Sequence, residues 1–128
     1  MSQSNVVRLS TREAAQAPVQ WRVLCSRQDL VPNSGVVAWH DGNQVALLYL
    51  PGQQDKPLYA VDNRDPKSGA NVIGRGLLGS IKGELVIASP LYKQHFRLED
   101  GHCLEYPEQR LRVWPVRLNG DVVEIGEG

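Results

Sequence analysis

The residues of this chain able to do chemistry are few and scattered. Gly74-Arg75-Gly76-Leu77-Leu78-Gly79 spells G-x-G-x-x-G, which serves a dinucleotide only where a strand precedes it and a helix follows to aim amides at the pyrophosphate. Here Ser80-Ile81-Lys82-Gly83 follows, a turn into another strand, so these glycines read as permitting bends. The histidines His40, His95 and His102 would need Cys25 or Cys103 to complete a tetrahedral metal site. No C-x-x-C or H-x-x-x-H pair gathers them, and His102 and Cys103, adjacent on an expected strand, point to opposite faces. No G-x-S-x-G elbow presents a serine nucleophile.

The elements that must position these residues are short. From Trp21 onward, runs of Val, Ile, Leu and aromatics alternate with Gly, Pro, Asn and Asp at intervals too close for long helices. Strands are expected at Gln20–Cys25, Val36–His40, Gln44–Leu50, Leu58–Asp62, Leu77–Ile81, Glu84–Ala88, Gln94–Leu98, His102–Leu104, Leu111–Leu118 and Asp121–Ile125. Ser26 caps a brief helical turn after the first. Asp41-Gly42-Asn43, Lys82-Gly83 and Asn119-Gly120 make the hairpin turns, since each supplies the positive φ that a tight turn requires. Pro115 marks an edge or a bulge. The grammar is that of a small all-β antiparallel sandwich or barrel with two long loops, Asn63–Asn71 and Ser89–Lys93.

Composition narrows the function classes. The chain has 128 residues, 41% of them hydrophobic and 22% charged, enough for one globular domain with a real core. Fourteen basic residues balance 14 acidic ones, so nucleic acid and membrane surfaces are not expected partners. Two cysteines are too few for a disulfide scaffold. Residues 1–18 form a polar leader without the apolar stretch of a signal peptide, and Pro51-Gly52 cuts the run Val45–Leu50 far short of a membrane span. A flexible leader, then one domain over 19–128, in the cytoplasm, is the expectation.

The stretch from Leu58 to Leu104 is the informative one. Asn63-Arg64-Asp65-Pro66-Lys67 leads, one hairpin later, to Ser89-Pro90-Leu91-Tyr92, with Phe96 and Gly101 beyond. This resembles the Rieske ferredoxin framework, in which a C-x-H loop and a C-x-x-H loop hold a [2Fe–2S] cluster, two thiolates on one iron and two imidazoles on the other. The resemblance puts Asp65 and Lys67 at the first Cys and His, and Ser89 and Tyr92 at the second. The 21 residues between Lys67 and Ser89 suit the family, yet all four ligands are replaced. An ammonium has no lone pair to give, and oxygen donors are poor substitutes for thiolate.

Over Gln20–Ile125, including Trp21-x-x-Leu24-Cys25, Arg75-Gly76-Leu77 and His95-Phe96-Arg97-Leu98, the chain resembles the small-subunit family of the cytoplasmic NAD(P)H-dependent nitrite reductases. That resemblance implies a Rieske-like fold without a cofactor of its own. It also implies a large partner subunit carrying FAD, an iron–sulfur cluster and sirohaem for reduction of nitrite to ammonium. The alternatives are a Rieske-type electron-transfer ferredoxin with atypical ligands, and an interaction module of another oxygenase or reductase. Two expectations follow for the loops. Asp65 accepts a hydrogen bond from the Tyr92 phenol, tying the loops together, and Arg64, Lys67, Arg75 and Lys93 form a positive end that faces the partner.

Overall fold

A computed structural model describes residues 19–127; the polar leader 1–18 lies outside the described residues. Ten strands follow in chain order: β1 Gln20–Ser26, β2 Ser34–His40, β3 Asn43–Tyr49, β4 Leu58–Asp62, β5 Leu77–Ile81, β6 Glu84–Ala88, β7 His95–Arg97, β8 Val113–Trp114, β9 Val116–Asn119 and β10 Val122–Glu127. Every strand pairing is antiparallel. The strands form three sheets, β1-β10-β9, β2-β3-β4-β8 and β5-β6-β7. The expected all-β antiparallel architecture is the one observed.

The middle sheet explains the continuous apolar run. Successive side chains on a strand face opposite ways, and in β3 both faces are covered. Val45 and Leu47 join Leu58, Ala60, Trp114, Val123 and Ile125 in one core. Ala46 and Leu48 join Val61, Ile73, Ile87, Phe96 and Leu98 in the other. A strand buried on both faces cannot alternate apolar with polar residues, so Val45–Leu50 reads as an unbroken block.

The turns follow from residue chemistry. Asp41 and Gly42, at φ 49° and 79°, and Lys82 and Gly83, at 51° and 82°, are two-residue hairpin loops with both centres at positive φ, the geometry that matches strand twist. Ser26 accepts from the Gln28 amide and Asp29 from the Ser26 amide, capping the 3-10 turn Arg27–Asp29. Pro115 does more than mark an edge: it separates β8, paired with β4, from β9, paired with β10, so the chain changes sheets there. Its missing N–H falls between two ladders, where none is required.

Two local expectations are corrected. The last hairpin turns on Gly120-Asp121, one residue later than Asn119-Gly120, because Asn119 pairs with Val122 and only Gly120 takes a positive φ, 61°. His102–Leu104 is no strand: it makes only isolated bridges, Phe96 to Cys103 and His102 to Arg110. Among the described residues no helix is long and apolar enough to cross a membrane.

Candidate functional site

Two loops meet at one end of the β5-β6-β7 sheet. The first, residues 63–71, is anchored by buried Asn63, whose Nδ2 donates to Gln44 Oε1 at 2.9 Å and whose Oδ1 accepts from the Gly74 amide at 2.7 Å. Gly76, next to the 3-10 turn Ile73–Arg75, lets the backbone press against the end of β6; a Cβ there would lie 2.2 Å from the Ala88 carbonyl oxygen. Gly74 and Gly76 thus serve close packing rather than the expected bends, since neither takes a positive φ, and the segment leads into β5, as its sequence context implies. Loop 2, residues 89–94, is closed by backbone bonds from Ser89 N to Gln94 O and from Lys93 N to Ser89 O, at 2.8 and 3.0 Å.

The four positions that the Rieske resemblance puts at the cluster ligands meet in two pairs. Asp65 is wholly buried, at 0% exposure. Its Oδ2 accepts from Ser89 Oγ at 2.5 Å, and its Oδ1 accepts from Lys67 N at 2.8 Å, Gln94 Nε2 at 3.2 Å and Ser68 N at 3.3 Å. A buried carboxylate with donors on both oxygens is satisfied without a cation. Burial pushes the Asp65 carboxyl up, but the Ser89, Lys67, Ser68 and Gln94 hydrogen bonds outweigh it and hold the group below its ordinary value. Outside this latch, Lys67 Nζ lies 4.5 Å from the centre of the Tyr92 ring and 5.8 Å from that of Tyr106, with Tyr92 half exposed.

The expected Asp65–Tyr92 hydrogen bond is therefore absent. The pairing runs like with like: the two positions that carry thiolates in the Rieske framework, 65 and 89, bond to each other, and the two that carry imidazoles, 67 and 92, stack. The reason is the turn backbone of each loop, closed by bonds such as Asp65 N to Ala70 O and Lys93 N to Ser89 O. Asp65 and Ser89 point inward, where amides and Gln94 supply donors, while Lys67 and Tyr92 point outward, where an ammonium and a ring need no desolvated partner.

The four basic residues are all exposed but do not form one patch. Arg75 and Lys93 line a groove with Leu77, Pro90 and His95, and Leu77 is the most exposed large apolar side chain among the described residues, at 79%. Lys67 sits between the two tyrosines, whereas Arg64 lines a separate hollow with Trp39 and Asn71.

Sequence reasoning missed Gln94, Tyr106 and Glu105. Gln94 Nε2 reaches both Asp65 and, at 3.0 Å, Gln109 Oε1, and Glu105 accepts from the His95 amide at 2.9 Å and contacts its Nδ1 at 2.7 Å. These bonds fasten the segment 104–109 beside the two loops. Nothing local in the sequence signals contacts between residues 10 to 29 positions apart. Burial raises the Cys103 thiol, and burial together with Asp29 raises that of Cys25, so both remain protonated at neutral pH and are poor soft ligands.

The donor set does not fit a [2Fe–2S] cluster. The inner oxygens are engaged with each other and with amides, the outer ammonium has no lone pair, and no thiolate is at hand. What the arrangement can do is hold two loops rigidly and present an aromatic and basic surface.

Residues 20–126 match the family described as the Rieske-like [2Fe-2S] domain. The NADH nitrite reductase small subunit of Salmonella typhimurium is 40% identical over 106 residues, 83% of this chain and 96% of that one. A stretch of the Klebsiella oxytoca NAD(P)H nitrite reductase large subunit is also 40% identical over 106 residues, and there the chain spans only 11% of the relative. The solution structure of the Erwinia carotovora nitrite reductase [NAD(P)H] small subunit is 35% identical, with a TM-score of 0.69 over 84% of this chain and 82% of that one. The ferredoxin of carbazole 1,9a-dioxygenase from Nocardioides aromaticivorans, 17% identical, matches with a TM-score of 0.68 over 83% and 96% of the two chains and shares the fold.

Proposed function

The chain belongs to the Rieske-like [2Fe-2S] domain family, among its nitrite reductase small subunits, and from that premise we propose that it is the non-redox small subunit of a cytoplasmic NAD(P)H-dependent nitrite reductase. It holds no cofactor. FAD, the iron–sulfur cluster and sirohaem belong to the large subunit, and this chain, a single domain over 19–128 behind its polar leader, serves through protein contacts without nucleic acid or membrane.

One observation carries the reading. The four positions that would hold a cluster are committed to each other, Ser89 to Asp65 at 2.5 Å and Lys67 to Tyr92 at 4.5 Å. A buried latch keeps the shape of the cluster end while the chemistry of electron transfer is gone. The ferredoxin alternative needs ligands that these residues do not offer. The Klebsiella oxytoca large subunit, which includes a stretch similar to this chain, supports a partner surface suited to permanent contact.

The docking face is the loop end: Lys67 with Tyr92 and Tyr106, and the groove of Arg75, Lys93 and Leu77. Exposed charges gain little energy alone but steer and align a partner. Arg64, in its own hollow, contributes at the rim. The test is co-purification of the two subunits at graded salt. Arg75→Glu with Lys93→Glu weakens capture of the large subunit by about tenfold or more at low salt and flattens its loss with rising salt, because the screened attraction is gone, and Arg64→Glu does so less. Undiminished capture by the Arg75 and Lys93 double variant contradicts this face.

A further inference from the structure

A second cluster, with no part in the latch, sits where the β2–β3 hairpin meets the end of β10. His40 closes β2, and its side chain is only 7% exposed. Its Nε2 lies 3.5 Å from Asp41 Oδ2 and 3.7 Å from Glu127 Oε2. One donor atom from each of the three residues falls within 4.8 Å of the others. Adjacent strand residues face opposite ways, but the positive φ of Asp41, 49°, lets its carboxylate swing back toward the imidazole.

One oxygen of the cluster, on Glu127, is buried without a hydrogen-bond partner, and the buried His40 imidazole has only long contacts to carboxylates. The polar contacts of His40 among the described residues are the two just given, both longer than an N–H···O hydrogen bond. Glu127 Oε2 is a buried oxygen with no hydrogen-bond donor, although Arg22 Nε approaches to 3.1 Å as an ion-pair contact. Converging buried polar atoms of this kind call for an ion or a water. Arg22, on the exposed side of β1 with 62% of its side chain in solvent, offers a charge to Glu127 and nothing to His40 or Asp41.

We propose that His40, Asp41 and Glu127 bind a divalent transition ion of the Zn²⁺ type, with a fourth position open to water. One imidazole and two carboxylates suit this class of ion better than Mg²⁺ or Ca²⁺, which take oxygen alone. Zinc bonds of about 2.0–2.2 Å in a tetrahedron place neighbouring donors about 3.3–3.6 Å apart. The two His40 separations are already close to that, so only the Asp41 and Glu127 carboxylates have to approach each other. The ion ties the β2–β3 hairpin of the middle sheet to β10 of its neighbour and displaces the Arg22 contact.

The test is Zn²⁺ titration of the full chain, free of any histidine tag, in competition with a chromophoric chelator, and Co²⁺ absorption as the coordination readout. One ion binds per folded chain, raises the thermal midpoint, and gives a visible Co²⁺ band. Asp41→Asn and Glu127→Gln, both outside the two cores, weaken binding about tenfold or more, at least the loss that an outer-shell partner causes. His95→Gln and His102→Asn, in the other carboxylate–histidine pairs, leave it unchanged. Absence of stoichiometric binding by the folded wild type overturns the proposal. So does binding that survives both Asp41→Asn and Glu127→Gln, or that depends on His95 or His102.

Discussion

The inner and outer halves of the loop end occupy positions that the Rieske resemblance equates with cluster ligands, and they differ in opposite ways. The inner pair, Asp65 and Ser89, lies at 0% and 1% exposure and is bound into amides from both loops. The outer pair, Lys67 and Tyr92, faces solvent and is joined by a cation–π contact, with the Tyr106 ring also near the ammonium. When a cluster's ligands are lost, the buried half must still be satisfied, because an unpaired buried polar group costs about 1–3 kcal/mol. The exposed half is free to become a surface. Stability and recognition should therefore separate between the two pairs.

The largest effect is expected on the inner side. Asp65→Asn sets an amide N–H against a site built of donors and removes the charge they serve, at a cost of about 2–4 kcal/mol in urea or thermal unfolding. An equal loss at Lys67→Ala would erase the contrast between the halves. Ser89→Ala is expected to cost about 1–3 kcal/mol, because it takes one charge-assisted bond from the carboxylate. A double-mutant cycle of Asp65→Asn with Ser89→Ala shows coupling above about 0.5 kcal/mol, and the cycle of Asp65→Asn with Tyr92→Phe shows none.

The pH dependence sharpens the same contrast. The Asp65 carboxyl is held below its ordinary value in the folded chain, so between the folded and unfolded values the unfolded chain binds more protons. The contribution of Asp65 is fully present above the unfolded value, about 3.9, and is lost as pH falls through the folded one. Asp100 and Glu105 are also lowered, the first chiefly by the Arg97 hydrogen bond and the second by His95 bonds that outweigh its burial. The readout is therefore the difference between wild type and Asp65→Asn: that gap narrows on acidification below about pH 4. A gap constant with pH contradicts the charged latch.

The smallest stability effect belongs to the outer pair. Lys67→Ala or Tyr92→Ala costs at most about 1 kcal/mol, the range of an exposed cation–π contact, yet each weakens capture of the large subunit. Full capture by both variants, with stability unchanged, would reduce the pair to solvated side chains.

Much of the fold was legible because single residues dictate it. Asp41-Gly42 and Lys82-Gly83 specify their turns, Pro115 marks an irregularity in pairing, and the run Val45–Leu50 shows a strand, though not that both of its faces are covered. The positions of the two loops were equally plain from Asp65-Pro66 and Ser89-Pro90. Their internal pairing was not, since loop side chains follow no fixed period. Asp65 and Tyr92 look complementary as donor and acceptor, but which way each points depends on backbone bonds such as Lys93 N to Ser89 O. Tyr106, Gln109 and the Glu127 partner of His40 arrive from other segments, and only the strand topology brings them in.

The central claim, that this Rieske-like end is a latch and a surface rather than a redox centre, is tested most directly by iron and acid-labile sulfide analysis with a visible spectrum, on protein made and purified anaerobically. The account predicts folded, colourless protein without iron or sulfide; stoichiometric iron and sulfide with visible absorption would contradict it and restore electron transfer to this chain.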